Sequence, residues 1–324
     1  MILPDFSSVE IAHNRIRPYV NRTVVVESSV INRMFRGRFF FKCENYQKAG
    51  AFKFRGAANA VFSLSQEEAM RGVATHSSGN HAAALSLAAS LRGVTAHIVM
   101  PENAPEEKIM NVRQYGGLIT FCEPTLAARE AGLDEIIAKT GAVFVHPYNN
   151  FNVICGQATA AKELIEETGS LDIVMAPVGG GGLLGGTSVS VKALLPEALV
   201  IGGEPLNADD ACRSLKAGII MPSVNPNTIA DGLRTSLGEL SFAIIRQNVT
   251  DIFTATETSI KAAMVLLRRH AGILAEPSSA VPLAAIMENR SFFEGRRTGI
   301  IISGGNFNPS RFQFWDDDLI EGAL

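Results

Sequence analysis

Short Val- and Ile-rich runs alternate with helix-length segments along most of this chain, and that alternation restricts its fold more than any other feature. From residue 72, Val73 to His76, Val94 to Met100, Leu118 to Cys122 and Ala142 to His146 read as strands, with helices expected to begin near Asn80, Pro105 and Leu126 between them. Strands joined by helical crossovers pair in parallel, so the fold class is α/β. A second series starts with a helix near Gln157 and runs through strands Asp172 to Val178, Leu199 to Gly203, Ile252 to Ala255 and Gly299 to Ser303, joined by Phe39 to Cys43 from the N-terminal part. The expectation is two open, twisted parallel sheets with flanking helices: a large domain of residues 1–62 and 150–324, and a small inserted domain of residues 72–148. In one helix, Thr256 is the expected cap, Ile260, Ala263, Met264 and Leu267 recur at helical spacing, and Gly272 ends it. Open parallel sheets bind ligands beyond the carboxyl ends of their strands, which puts the expected site in the cleft between the domains.

Composition narrows the class of partner. The 324 residues are 47% hydrophobic, and 29 Lys+Arg against 32 Asp+Glu give a formal charge of -3. No basic footprint exists for nucleic acid or an anionic membrane, so a small molecule is the expected partner. Cys43, Cys122, Cys155 and Cys212 are far apart, without metal or redox spacing, and read as free thiols of a reducing compartment. The residues from Met1 to Glu10 lack a signal-peptide pattern and no apolar run reaches the length of a membrane span, so a soluble cytosolic protein is expected.

Gly179-Gly180-Gly181-Gly182 follows the strand ending at Val178 and precedes a helix. Without Cβ atoms, backbone N–H groups can converge on one anion at a helix N-terminus, the arrangement of a phosphate cradle. Gly180, Gly182 and Gly185 also satisfy G-x-G-x-x-G, with Glu204 ending the next strand, so a dinucleotide site and an NAD-dependent oxidoreductase form a competing reading. Ala49-Gly50-Ala51-Phe52-Lys53-Phe54-Arg55-Gly56 places a lysine between two phenylalanines after a glycine turn. An apolar setting lowers a lysine pKa, which suits an amine that attacks an aldehyde. Ser77-Ser78-Gly79-Asn80-His81-Ala82 brings hydroxyl, amide and free backbone N–H groups to another helix start, suited to gripping a carboxylate and a phenolic oxygen. Ser303-Gly304-Gly305-Asn306 ends the last strand, where a hydroxyl can face a ring nitrogen.

These four motifs, in this order over most of the chain, resemble those of fold-type II pyridoxal-phosphate enzymes, the tryptophan synthase β-like fold, and within it the serine/threonine dehydratase and serine racemase group. The resemblance implies that Lys53 carries pyridoxal 5′-phosphate as a Schiff base, that Phe52 packs against the ring, that Asn80 bonds the phenolic oxygen, that Gly179 to Gly182 hold the phosphate, and that Ser303 meets the pyridine nitrogen. It places Ser77, Ser78, Asn80, His81, Arg129, Tyr148 and Thr235 around the substrate and implies a homodimer. The stretch Glu204 to Asp210 is similar to the cation-binding segment of the racemase branch, implying Mg²⁺ or Ca²⁺ held by Glu204, Asp210 and the carbonyl of Ala208. Three residues depart from the family pattern: Ala51 for serine, Ala82 for glycine and Tyr148 for asparagine. Tyr148 reshapes the side-chain pocket and points to a substrate other than plain serine.

The implied reaction is β-elimination from a small hydroxy amino acid such as L-threonine, L-serine or 3-hydroxyaspartate, giving a 2-oxo acid and ammonia, with Lys53 removing the Cα proton. A neutral Ser303 hydroxyl stabilises a Cα carbanion less than a carboxylate would, which favours loss of the β-hydroxyl. Ser78 on the opposite face would serve the alternative, a serine or hydroxyaspartate racemase. A non-catalytic binding protein on the same scaffold is the remaining contrast.

Overall fold

The computed structural model describes residues 1–309. Ten strands form among them: β1 (Val25–Glu27), β2 (Arg38–Cys43), β3 (Val73–His76), β4 (Ala96–Pro101), β5 (Leu118–Cys122), β6 (Val143–Phe144), β7 (Ile173–Pro177), β8 (Leu199–Pro205), β9 (Asp251–Ala255) and β10 (Arg297–Ile302). They make a six-stranded sheet in the order β1-β2-β10-β7-β8-β9 and a four-stranded sheet in the order β5-β4-β3-β6. The four-stranded sheet is wholly parallel. In the larger sheet only β1 runs antiparallel, to β2.

Sequence periodicity missed β1. It has only three residues, and the ten residues between it and β2 are fewer than the dozen or so of a parallel crossover, so the chain reverses. The strand expected over Ala142 to His146 shrinks to Val143–Phe144. Val145 N still donates to Ala74 O at 2.9 Å, but His146 Nδ1 then accepts from Tyr148 N at 3.3 Å and Asn149 N at 2.9 Å, turning the chain off the sheet. The helix expected near Gln157 begins earlier, spanning Phe151–Thr168, because Asn150 caps it by accepting from Val153 N at 3.0 Å.

Both faces of the large sheet are covered. One carries the helix Glu257–Ala271, capped by Thr256 and ended by Gly272 at φ 67°, as its sequence foretold. Its Ile260, Met264 and Leu267 are at most 1% exposed, and each such side chain contributes about 1.5–3 kcal/mol on burial. The helix Lys53–Ser63 instead sends Phe54, Ala57, Ala58 and Val61 into the core beneath the small sheet, against Ala82, Leu85 and Ile98. It also packs on the helix Phe151–Thr168. The residue at its first position is therefore held by both sheet systems.

Ser77 follows β3, Gly179 follows β7, Glu204 closes β8, Ser303 follows β10, and His146 to Tyr148 lie just past β6. All of these positions lie at carboxyl ends of parallel strands, where such sheets place ligands. No described helix is long and apolar enough to cross a membrane.

Candidate active site

Lys53 opens its helix, and its amine reaches toward the segment just past β6. Nζ donates to Pro147 O at 2.8 Å and lies 5.1 Å from the centroid of the Phe52 ring. Desolvation lowers the amine to about 8 from an ordinary 10.5, opposed by the negative charge of Glu276. Phe52 N donates to Ser303 O at 2.9 Å, and Ala51 forms an antiparallel bridge with Gly304. The lysine segment and the C-terminal motif, some 250 residues apart, are thus adjacent. Ser303 Oγ is 2.8 Å from Ser279 Oγ, and the Ser279 hydroxyl in turn accepts from Gly304 N at 2.7 Å. Ser303 is 3% exposed, and among the described residues no carboxylate is one of its hydrogen-bond partners.

The glycine turn needs glycine for two distinct reasons. Gly181 has φ 86°, a left-handed conformation that L side chains rarely adopt. At Gly180 the cause is space, because a Cβ there would lie 2.3 Å from the Tyr148 ring. Gly179, Gly180 and Gly181 donate no backbone hydrogen bond among the described residues, and the helix Gly182–Leu194 starts directly after them. Buried N–H donors without partners at a helix N-terminus fit the phosphate of pyridoxal 5′-phosphate. The lowered Lys53 amine beside an aromatic face fits its aldehyde and ring.

Around this centre, Thr235 Oγ1 would be 3.3 Å from a Cβ on Gly179, and it lies near the Tyr148 phenol. Burial raises the Tyr148 phenol, and the Tyr148 ring meets His146 edge-on at 4.6 Å. Burial lowers His146 to about 4 and His81 to about 3, so both imidazoles are neutral at physiological pH. Ser77 and Ser78 are half-buried, and Ser77 Oγ accepts from Gly79 N at 3.3 Å. His81 Nε2 lies 3.0 Å from Val145 O, while its Nδ1 has no partner. Arg129 stands off on the helix Leu126–Thr140, its Nε donating to Thr125 O at 3.3 Å, but its charge reaches His76 and Tyr148.

Glu204 stands near the end of β8, which pairs with β7. Its two oxygens accept from Ala211 N and Cys212 N, both at 2.8 Å, so it caps the helix Asp210–Ala217 and is only 1% exposed. Each capped oxygen keeps a second lone pair, so Glu204 can meet a cation as well as the helix N–H groups. Both oxygens of the equally buried Asp210 lack a hydrogen-bond partner. Burial and neighbouring acidic charge raise Glu204 to about 8, and burial raises Asp210 to about 6. Among the described residues no three His, Cys, Asp or Glu side chains converge as a metal cluster. The set Glu204, Asp210 and the Ala208 carbonyl has only two carboxylates, and these hard oxygens with two orphaned acceptors fit an alkaline-earth cation.

Sequence reasoning missed two groups. Glu276, 5% exposed at the start of the helix Pro277–Glu288, accepts from Asn80 Nδ2 through Oε1 at 3.0 Å and Oε2 at 3.1 Å. Its signal was an acid directly before Pro277 at a helix start in an otherwise apolar stretch. The second group surrounds Arg55, two residues past Lys53 and wholly buried. Its guanidinium forms paired hydrogen bonds of 2.7 and 2.9 Å with Glu44 and of 2.8 and 2.7 Å with Glu163. Lys42 Nζ adds a contact of 2.8 Å to Glu163.

Comparison with known proteins bears on this geometry. Residues 16–304 match the family model described as pyridoxal-phosphate dependent enzyme. The chain is 49% identical over 306 residues to a beta-hydroxyaspartate dehydratase of Paracoccus denitrificans, covering 94% of this chain and 97% of that one. It is 42% identical to an L-threo-3-hydroxyaspartate ammonia-lyase of Saccharomyces cerevisiae, over 96% of each chain. The crystal structure of serine racemase from Dictyostelium discoideum superposes with a TM-score of 0.91 at 46% identity, over 94% of this chain and 99% of that one.

Proposed function

Because this chain belongs to the family of pyridoxal-phosphate dependent enzymes, we propose that it eliminates water and then ammonia from a β-hydroxy amino acid, with 3-hydroxyaspartate its preferred substrate. The observation that carries the reading is the Lys53 amine, lowered to about 8 and held between Pro147 past the small sheet and the Ser303 segment of the large one. An ordinary lysine is almost fully protonated at neutral pH, whereas this one has an appreciable neutral fraction able to act as nucleophile and base.

The bound cofactor supplies an electron sink that acidifies the substrate Cα–H. Lys53 Nζ takes that proton. Ser77, Ser78 and the first N–H groups of the helix Asn80–Arg92 hold the α-carboxylate, with His81 beside them. Asn80 meets the cofactor's ring oxygen, Phe52 its face, Ser303 its ring nitrogen, and Gly179 to Gly182 its phosphate. A neutral Ser303 limits charge delocalisation, so expulsion of the β-hydroxyl is favoured over reprotonation at Cα. Tyr148 and Thr235 line the side-chain end, and the Arg129 charge attracts a substrate that carries a second carboxylate. This last feature favours 3-hydroxyaspartate over L-serine or L-threonine.

Racemisation is the second reading, favoured by Ser78 in the carboxylate loop and by a serine racemase among the relatives. A panel of L-serine, L-threonine and the 3-hydroxyaspartate stereoisomers separates the two, with 2-oxo acid release and the chirality of recovered amino acid both measured. The expected result is oxo-acid release that is fastest from a 3-hydroxyaspartate isomer. Inversion without oxo-acid release would replace elimination by racemisation, and inertness toward the whole panel would remove both.

Glu204, Asp210 and the Ala208 carbonyl are proposed to hold Mg²⁺ or Ca²⁺, which relieves the mutual repulsion of the buried acids. Saturating Mg²⁺, at about a hundred times its Kd, should stabilise the fold by roughly 2.7 kcal/mol. Thermal unfolding is expected to shift upward with Mg²⁺ in the parent protein and to lose that response in Asp210→Asn. An unchanged transition in the parent would remove the site. A cytosolic homodimer completes the reading, supported by the family resemblance and by four cysteines that are all free.

A further inference from the structure

Four segments far apart in sequence meet at one half-buried amide. The Ala49 carbonyl can only accept, and Asn306 Nδ2 donates to it at 2.7 Å, which fixes the Asn306 side chain. The same nitrogen donates to Asn80 Oδ1 at 3.0 Å. That contact turns Asn80 Nδ2 to the other side, where the Glu276 oxygens lie at 3.0 and 3.1 Å. A flipped Asn80 would set donor against donor at Asn306 and acceptor against acceptor at Glu276, so every orientation follows from the Ala49 carbonyl. The anchor is itself a special turn: Ala49 and Gly50 have φ 56° and 70°, and a Cβ on Gly50 would lie 2.1 Å from Asn306 Oδ1.

Glu276 is placed oddly for a structural acid. It is 5% exposed, and its side chain accepts from the Asn80 amide rather than from a cation, with the Asn306 backbone N–H nearby. The charges that act on it are those of Lys53, Asp231 and Lys108. Asp231 and Lys108 are paired with each other at 2.5 Å.

We propose that Glu276 is a positioning residue that acts through Asn80: its carboxyl takes one Nδ2 hydrogen, stops the amide from rotating and leaves the second hydrogen for the anionic ring oxygen of the bound cofactor. This rests on the role given to Asn80 above. Burial raises Glu276 to about 7, so its ionisation falls in the working range. The ionised carboxylate accepts through both oxygens, whereas the protonated form offers fewer acceptor sites and holds the amide less firmly. The grip on the ring oxygen is therefore firmer above neutrality than below it.

The test uses the purified holoenzyme and, for affinity, the cofactor-free protein titrated with pyridoxal 5′-phosphate while the imine absorption is followed. Losing a charge-assisted contact should make Glu276→Gln bind the cofactor about tenfold more weakly. Its imine band should shift and lose its pH dependence near neutrality. Asn80→Ala should show a loss at least as large, and Glu276→Gln added to Asn80→Ala should cost nothing further, because the acid acts only through the amide. Glu276→Asp keeps the carboxyl and should recover part of the affinity; it replaces Glu276→Gln in the cycle if the glutamine variant does not fold. Unchanged affinity and spectrum in Glu276→Gln, or additive losses in the double variant, would overturn the proposal. So would a loss of thermal stability in the cofactor-free protein with cofactor affinity intact. A parent protein with no imine band at all refutes the cofactor reading itself and is seen before any variant is made.

Discussion

Lys53→Ala should lower the rate of elimination by at least about a thousandfold and abolish the violet-absorbing imine band of the purified protein. A positioned general base alone contributes about 10²- to 10⁴-fold, and this substitution also removes the amine that anchors the aldehyde, so the upper part of that range is the floor expected here. Stability should change little, because alanine is a good helix former at the first position of the helix Lys53–Ser63. The exchanged contact is one hydrogen bond, from Nζ to Pro147 O. Lys53→Arg should not rescue activity, since a guanidinium stays protonated at any working pH and cannot take the Cα proton. Absorption spectra and steady-state rates on the best substrate check both variants. Retention of the band in Lys53→Ala would show that another amine carries the aldehyde.

The second large effect is expected two residues further along the same helix. Arg55→Ala should destabilise the fold by about 3–5 kcal/mol, the usual cost of breaking a buried pair by removing one partner. It strands Glu44 and Glu163, which are 0% and 2% exposed, with Lys42 left beside Glu163 and only the neutral Thr23 and Gln47 side chains beside Glu44. Arg55→Lys should recover little, because a single ammonium cannot reproduce the two bidentate contacts of the guanidinium. The same cluster sets an acid limit. Burial alone would raise Glu163, but the Arg55 hydrogen bonds and charge, with Lys42, overcome it and hold the carboxyl down to about 2 from an ordinary 4.5. A folded value below the unfolded one means that this stabilisation is complete above about pH 4.5 and disappears as pH falls toward 2. Urea unfolding across that interval should show the slope in the parent and a flatter profile in Arg55→Ala. A midpoint in Arg55→Ala equal to that of the parent would show that the cluster contributes no net stability. Because Arg55 lies two residues past Lys53, some loss of activity should accompany the loss of stability even where the variant remains folded.

Local chemistry made much of this protein readable in one dimension. Helices began at or beside Asn80, Pro105, Leu126 and Thr256 because caps and first turns are set by neighbours in sequence. Strand periodicity assigned the central parallel strands β4, β7, β8 and β10 because they are buried on both faces, and it failed at β1, a three-residue edge strand paired antiparallel. Lys53, the SSGN loop and the glycine turn stood out in the sequence because each lies in a contiguous motif. Tertiary structure alone decided the rest. That Gly180 is required by the Tyr148 ring, that Glu204 caps a helix, that Arg55 is neutralised by Glu44 and Glu163, and that Glu276 governs the Asn80 amide are all relations between groups far apart in sequence. A buried charge and an exposed one have the same letter, and only the folded chain determines which dielectric surrounds it and which partner it meets.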